Sequence, residues 1–394
     1  MTATWIALVA VVGSLIGSFA NVVVYRWPRG ESVVRPRSRC PGCGRTLSPI
    51  DLLPVLSWIA LRGRCRTCGA RIAARYPTVE AGFALAFGVL AWAYPIEAFG
   101  PTVVPLLVLV SMLGMAALID LDTYLLPDGL TLPAVVVGVV GAWAYHPDAG
   151  LPSPSEAAVG AAVAAGVLVL INRLGGLVLR RLRDTEERLW PFSLDAVNVA
   201  AVAGMLGGRW WALAAGLAQV ALSALARRPV RMPEPWLYAL WLAALVVALS
   251  GWTLTWGVDL IEALAGSLIG AGALALLGAT WWWVAELRAT GPASEPRKAP
   301  LEEAGRPEDD DGEPVAMGFG DVKLAAVLGA LLGVTGFMVG LLLAVVIGAV
   351  VGVAQRALGG SRFVPFGPFL VVGALLAWAF ADGLVGWYLA LLGV

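Results

Sequence analysis

Residues 3–25, ATWIALVAVVGSLIGSFANVVVY, form an apolar run without a charged side chain. At 1.5 Å per residue, a helix of this length crosses the roughly 30 Å hydrocarbon core of a bilayer. Similar runs follow along the chain: 77–95, 101–119, 129–145, 156–178, 234–250, 259–285 and 335–354. The alternating short runs typical of a β-barrel are absent from the sequence. The pattern predicts an all-α, polytopic membrane helix bundle.

The composition supports this prediction. Of the 394 residues, 59% are hydrophobic and 14% are charged, whereas about a quarter of an average soluble domain is charged. The net charge is zero, so charge gives no indication of a nucleic-acid partner. The single histidine, His146, nearly excludes Ser-His-Asp, Cys-His and zincin chemistries, because all of them need histidine in the site.

The segment 26–76 is strongly basic. It contains eleven arginines, but its only acidic residues are Glu31 and Asp51. Basic loops of membrane proteins remain on the cytoplasmic side, so we expect this segment to be cytoplasmic. The helix predicted for 3–25 would then be an uncleaved anchor whose N-terminus lies outside.

All four cysteines lie in this basic segment, as two CxxC pairs with 21 residues between them: Cys40, Cys43, Cys65 and Cys68. This spacing is typical of a four-cysteine zinc site, in which each knuckle offers two thiolates. Two disulfides or free thiols are the alternatives, but a reducing cytoplasm disfavours disulfides. Because four thiolates leave no open coordination position, a Zn²⁺ ion here would be structural.

Carboxylates occur at membrane depth in two places. Asp120, Asp122 and Asp128 lie between two apolar runs, and Asp321 precedes the apolar residues 324–333. Such residues are costly in a membrane and often functional; capping of helix ends is the alternative interpretation. Two aspartates from distant segments are also what aspartyl proteolysis needs, because a closely spaced pair shares one proton and can activate water.

The chain resembles the bacterial type IV prepilin leader peptidases, which are GxGD-type intramembrane aspartyl proteases. The resemblance rests on motifs at both ends of the chain and on the two CxxC knuckles. In order, the other motifs are GSFANVVVYRWP (17–28), RYPTVE (75–80), IDLDTYLLPDGLTLP (119–133), GFGDVKL (318–324) and VPFGPFL (364–370).

The resemblance implies that Asp120 and Asp321 are the catalytic pair. It implies supporting roles for Asp122, Asp128, Gly318, Gly320 and Lys323. Members of the family cleave the basic leader of prepilins or pseudopilins at the cytoplasmic face of the bacterial inner membrane. The expected partners are therefore these substrates and the lipid bilayer.

Many members of the family also methylate the new N-terminus with S-adenosylmethionine. The resemblance assigns this dependence to Gly63, followed by Arg64, while Ser38 replaces an acidic residue that is common in the family. Two alternatives remain open at this point. The protein could be a peptidase without methyltransferase activity, or a catalytically silent membrane scaffold with the same fold.

The stretch between the two aspartate motifs is longer than the family pattern requires, and it resembles a repeat. A shift of 106 residues aligns Leu126-Pro127-Asp128 with Met232-Pro233-Glu234, and a shift of 125 aligns 200–202 with 325–327. We interpret 126–226 and 232–354 as two copies of one multi-helix unit; chance similarity of small apolar residues is the alternative. The first copy has lost its GxGD, and Ala226 occupies the position equivalent to Asp120.

These observations predict six regions: a first membrane helix (1–25), a zinc-binding domain (26–76), helices that carry the first aspartate (77–178), an inserted degenerate repeat (179–285), a disordered acidic linker (286–316) and helices that carry GxGD (317–394). The insertion contains four candidate spans: 195–207, 209–226, 234–250 and 259–285. An even number of spans returns the chain to the same side, so both aspartates are expected at one membrane face.

Overall fold

The computed structural model describes residues 2–178, 191–228, 230–250, 258–289, 318–358 and 365–392. Throughout these ranges the chain is helical or irregular, and the only extended pairings in them are two single β-bridges, Arg39 with Thr46 and Arg64 with Arg71. The predicted all-α class is therefore confirmed. The basic segment at 180–188 and the linker from 290 onwards lie outside the described residues.

The helices follow the apolar runs closely. They are α1 Thr2–Arg26, α2 Leu56–Ala60, α3 Arg75–Ala93, α4 Ile96–Phe99, α5 Val103–Thr123, α6 Asp128–Gly141, α7 Pro154–Val178, α8 Leu194–Gly207, α9 Arg209–Ala226, α10 Glu234–Leu249, α11 Leu260–Ala289, α12 Phe319–Ala357 and α13 Gly367–Leu392.

Six helical stretches of the described chain are long and apolar enough to cross a membrane: Ala3–Arg29, Arg75–Ala93, Ile96–Thr123, Pro154–Arg173, Leu260–Arg288 and Phe319–Ala357. The protein is thus a multi-pass membrane protein. The runs 129–145 and 234–250 form shorter helices of 14 and 16 residues, which reach only about 21 and 24 Å. Pro127 and Pro233 are the N-cap residues of these two helices, a position at which the missing N–H of proline interrupts no helical hydrogen bond.

Three boundaries differ from the sequence-based expectation. Helix α5 continues to Thr123, so Asp120 and Asp122 lie on the helix and not beyond its end. Helix α12 begins at Phe319, ahead of the apolar run 324–333, and the non-helical backbone of Gly333 breaks it close to the start of the span expected from 335. The sequence did not single out α13 as a span, although Gly367–Ala381 and Gly383–Leu391 together pass the same test with a 69° bend.

The described residues fall into two compact units, divided between Ser153 and Pro154. In the first unit, α1 packs against α3 and α5, and α5 also packs against α6. Glycines allow the closest approach: a Cβ added at Gly13 would lie 2.6 Å from the Phe83 carbonyl oxygen, and one at Gly17 would lie 2.8 Å from the Glu80 Cα. Such small residues let membrane helices pack backbone to backbone.

In the second unit, α7 packs on α12 and α11, while α8 packs on α11 and α9. The close glycine contacts between these helices repeat at the two sequence shifts of 106 and 125 residues. A Cβ at Gly160 would lie 2.2 Å from the Gly329 carbonyl oxygen, and one at Gly204 would lie 2.5 Å from that of Gly266. Gly160 and Gly266 are 106 residues apart, and Gly204 and Gly329 are 125 apart.

The backbone repeats at the same shift. Gly208, between α8 and α9, has φ 80° and ψ −172°, and Gly333, at the kink of α12, has φ 66° and ψ −175°. These two glycines are 125 residues apart. Residues that carry a side chain rarely adopt such a positive φ. The pair α8–α9 therefore has the same local geometry as the two halves of α12.

Candidate active site and metal site

The four cysteines are brought together by two similar knuckles. In each knuckle a glycine N–H donates back to the first cysteine carbonyl, Gly44 to Cys40 at 2.9 Å and Gly69 to Cys65 at 3.0 Å. Both glycines have φ near 70°, which explains the need for glycine in these turns.

The four sulfur atoms lie within 4.8 Å of one another, and the Cys40 and Cys68 sulfurs are 3.8 Å apart. A tetrahedral ion with Zn–S bonds of about 2.3 Å requires sulfur–sulfur separations near 3.8 Å. Backbone N–H groups of Cys68 and Thr67 donate to the Cys65 sulfur and lower the pKa of this thiol from 9.0 to about 6, whereas burial and the neighbouring cysteines raise the pKa of Cys68 to about 11. The sulfur spacing is therefore what fits a tetrahedral thiophilic ion, and binding of such an ion would release the remaining thiol protons.

Asp51 ties the two knuckles together, which the sequence reasoning missed. Its carboxylate accepts from Arg45, which follows the first knuckle, and from Arg66 Nε at 3.0 Å, inside the second. Hydrogen bonds from Ser48 are the main cause that lowers the pKa of Asp51 from 3.8 to about 2. The clamp thus contributes fully above about pH 4 and is lost only as the pH falls through about 2. In the sequence, the indication of this clamp was that Asp51 is one of only two acidic residues among eleven arginines.

Gly63 lies in the turn that leads into the second knuckle. It has φ 68°, and a Cβ at this position would lie 2.9 Å from Cζ2 of Trp58. The Trp58 indole N–H donates to the Ile72 carbonyl at 3.1 Å. Any side chain at Gly63 would therefore strain the backbone and displace this ring. The neighbouring Arg64 is exposed.

The segment between the knuckles is fastened to α3 by Glu80. This carboxylate is buried, and its Oε2 accepts from the Val55 backbone N–H at 2.7 Å. Val55 has φ 60°, a conformation that is strained for a β-branched residue. Glu80 lies inside the span predicted at 77–95. An acidic residue within a span is costly, so its position was an indication that it has a specific partner.

The first aspartate motif places its three acids differently. Asp120 is 5% exposed, in the last turn of α5. Asp122, two residues on, is exposed and pairs with Arg75 at the start of α3 at 2.6 Å. Asp128 is the first residue of α6, where a carboxylate interacts favourably with the positive end of the helix dipole. The sequence analysis did not identify the Arg75–Asp122 pair.

The second aspartate motif forms the start of α12. Gly318 is the N-cap residue, and the Asp321 N–H donates to its carbonyl at 3.2 Å. Gly318 has an ordinary extended backbone, φ −71° and ψ 146°, which residues with a side chain also adopt. A Cβ here would lie 3.8 Å from Asp321 Oδ2, an ordinary van der Waals contact. Gly318 therefore lies directly beside this carboxylate.

The supporting residues of this motif lie on the first turns of α12. Lys323 is buried, and its ammonium lies 5.8 Å from the centre of the Phe319 ring, within the range of a cation–π contact. Gly320 lies directly before Asp321 in the first turn. Asp120 belongs to the first unit and Asp321 to the second.

Two family models match the chain. The Bacterial Peptidase A24 N-terminal domain matches residues 11–94. The Type IV leader peptidase family matches residues 107–181 and 211–353, more than half of the chain. The stretch missing from the second match lies within the insertion predicted at 179–285.

Curated relatives agree with these models. A "Prepilin leader peptidase/N-methyltransferase" of Myxococcus xanthus is 47% identical over 152 residues, covering 38% of this chain and 44% of the relative. A protein of the same name from Pseudomonas putida is 40% identical, covering 37% and 59%. The "Type 4 prepilin-like proteins leader peptide-processing enzyme" of Escherichia coli O78:H11 is 34% identical over 226 residues, covering 51% and 82%.

The chain spans less than two thirds of the Myxococcus and Pseudomonas relatives. No solved structure matches it. The matched segments include both aspartate motifs and all four cysteines. The chain therefore belongs to the type IV leader peptidase family, a family of proteases.

Proposed function

We propose that this protein is a membrane aspartyl endopeptidase that removes the basic leader of type IV prepilins or pseudopilins. Asp120 and Asp321 would form its catalytic pair. The observation that carries the proposal is the burial of Asp120 within a membrane-spanning helix. A carboxylate there is costly and is retained for function. The names of the relatives, which refer to prepilins and prepilin-like proteins, supply the substrate class.

The chemistry follows from two carboxyl groups that share one proton. The ionised carboxylate takes a proton from water as the water oxygen adds to the scissile carbonyl carbon. The protonated partner gives its proton to the carbonyl oxygen. The first group then gives its proton to the leaving nitrogen as the C–N bond breaks, while the partner carboxylate takes a proton back from a hydroxyl of the tetrahedral diol, so that the C=O bond re-forms and the pair again shares one proton.

The cytoplasmic face of the bacterial inner membrane is the side that we assign to this chemistry. Support comes from the eleven arginines between α1 and α3, because basic segments stay in the cytoplasm. Arg75, the last of them, pairs with Asp122 on the helix that carries Asp120. The first aspartate thus lies at the membrane face of the basic segment.

We assign the metal site to a structural Zn²⁺ ion held by Cys40, Cys43, Cys65 and Cys68. The near-tetrahedral sulfur spacing supports this assignment, and four thiolates leave no position for a catalytic water. Zinc would supply folding energy to the segment between α1 and α3.

Methylation of the new N-terminus is a further part of the proposal, supported by the names of the relatives. S-adenosylmethionine would supply the methyl group. The exposed guanidinium of Arg64 suits the carboxylate of this donor. Gly63 would act through its backbone, because it holds Trp58 in place.

For the insertion, we propose that the two copies, 126–226 and 232–354, exchange partners, so that α8 to α11 form a second, degenerate version of the unit. The support is the repeated geometry: α7 packs on α12 where the equivalent α11 packs on α8, and the glycine contacts match at both shifts. Asp195, at the start of α8, is buried, and its Oδ1 accepts from the Met232 N–H at 3.4 Å. Because Ala226 replaces the partner acid, this second site would be inactive.

Co-expression with a prepilin-like substrate tests the peptidase. The wild type should shorten the substrate, whereas Asp120→Asn and Asp321→Asn should abolish cleavage without changing membrane insertion. Asp195→Asn is the matched control, since it removes a buried acid at the equivalent helix start and should retain cleavage. Cleavage by Asp321→Asn would refute the catalytic pair. Absence of cleavage by wild type with a normal zinc content would instead support a silent scaffold.

A further inference from the structure

The segment Pro49–Ala60, between the two knuckles, carries large apolar side chains that the metal site does not use. Ile50 is 61% exposed, Leu56 66% and Ile59 60%, and Leu52 and Leu53 are also exposed. The segment forms one 3₁₀ turn and the short helix α2. Contiguous apolar surface of this kind marks an interaction site.

The hydrogen bond to Glu80 fixes the depth of this segment. Val55 lies in its middle and donates to Glu80 at 2.7 Å. Glu80 is the sixth residue of α3, about 7.5 Å along the helix axis from its start. Helix α3 has 19 residues and a length of about 28 Å, so it needs nearly all of them to cross a hydrocarbon core of about 30 Å. The middle of Pro49–Ala60 therefore lies within about 8 Å of the boundary between headgroups and acyl chains, a depth typical of interfacial elements.

The charges next to the segment fit the same position. Arg62 follows α2 directly, and Arg64 and Arg71 pair through a backbone bridge. All three side chains are exposed. Within the described parts of the chain, no ion pair joins any of them to a carboxylate. Anionic phospholipid headgroups would complement these cations, whereas a basic leader peptide would be repelled.

We infer that Pro49–Ala60 is an interfacial element that inserts its apolar side chains into the leaflet beside the metal-binding segment. Arg62 and Arg71 hold anionic headgroups around it. Apolar insertion and electrostatic attraction together determine the strength of such monotopic contacts. The contact would set the height of the two knuckles above the bilayer. The inference is independent of the proposed catalytic pair.

Photo-crosslinking of the full-length protein in lipid nanodiscs tests the contact. A benzophenone amino acid replaces Leu56 or Ile59, and mass spectrometry identifies the adducts. Leu15, exposed on the membrane helix α1, is the positive control. Thr46, exposed on the first knuckle and without a hydrogen bond to α3 among the described residues, is the negative control. We expect lipid adducts at positions 15, 56 and 59 and no lipid adduct at position 46.

Lipid composition separates the contribution of the arginines. With phosphatidylglycerol present, the lipid-adduct yield at position 56 should exceed that in pure phosphatidylcholine, and Arg62→Gln with Arg71→Gln should remove the difference. Lipid adducts at position 15 but none at 56 and 59 would overturn the inference. Adducts at 56 and 59 only to an added prepilin or to another copy of this chain would also overturn it, because the surface would then bind polypeptide.

Discussion

Asp51 shows how one side chain can hold a metal site that it does not ligate. It is one of two acids among eleven arginines, and it accepts from one arginine beside each knuckle. Such outer partners orient metal ligands and commonly change metal affinity by about 10–100-fold. The sequence identified the four ligands from their spacing, but the clamp depends on how the two knuckles fold together.

The substitution Asp51→Asn should accelerate loss of zinc. Removing the negative charge releases Arg45 and Arg66 from their shared partner, so the rate of zinc transfer to a chromogenic chelator should rise about tenfold. Glu31→Gln is the matched control, because Glu31 is the other acid of the segment and is exposed. Equal rates for the two variants would show that the clamp contributes nothing.

Arg75 couples α3 to the helix that carries Asp120. Its partner Asp122 is exposed, so the pair should contribute less than about 1 kcal/mol to stability. Arg75→Gln would nevertheless leave a second negative charge near Asp120 without its cation. We therefore expect slower prepilin cleavage with almost unchanged thermal unfolding, and partial recovery in Arg75→Lys. Unaltered cleavage by Arg75→Gln would rule out this coupling.

At the scale of elements, the lengths of the apolar runs located the helices well, and the errors in the predicted helix boundaries have physical causes. Helix α5 extends past the apolar run because Asp120 and Asp122 are accommodated at its end, one buried and one paired with Arg75. Helix α12 includes Phe319 to Asp321, ahead of its apolar run, because Gly318 is its N-cap and accepts from the Asp321 N–H. A hydropathy pattern detects neither a satisfied carboxylate nor an N-cap.

The contact between α7 and α12 gives a prediction for the catalytic helix. A Cβ at Gly160 would lie 2.2 Å from the Gly329 carbonyl oxygen, so Gly160→Ala must push α12 away, at a cost of about 1–3 kcal/mol. Because α12 carries Asp321, the turnover number for prepilin cleavage should fall more than the substrate affinity.

Gly266→Ala is the matched control for that prediction, since it introduces the same methyl group at the equivalent contact of α11 with α8 and α9. It should cost similar stability and retain turnover. Equal losses of turnover in both variants would mean that overpacking anywhere in the second unit is harmful. The positioning role of Gly160 would then be rejected.

At the scale of the whole molecule, we propose that zinc stabilises the structure and takes no part in catalysis. If four cysteines fill the coordination shell, replacing Zn²⁺ by Cd²⁺ should preserve the cleavage rate, since a structural site needs only a tetrahedral thiophilic ion. Complete chelation should unfold the segment between α1 and α3, seen as faster hydrogen exchange there, while the membrane helices keep their circular dichroism. Abolished cleavage in a fully folded Cd²⁺ protein would contradict this prediction.

The sequence by itself determined the fold class, the four candidate metal-binding cysteines and the family, because these depend on local signals: apolar length, CxxC spacing and ordered motifs. It also suggested the repeat through the shifts of 106 and 125 residues. Only the tertiary structure revealed the Asp51 clamp, the Arg75–Asp122 pair, the Glu80 link to Val55 and the packing of α7 on α12 and of α11 on α8. These features join residues far apart in the chain, and their energies exist only when packing brings the groups within contact distance.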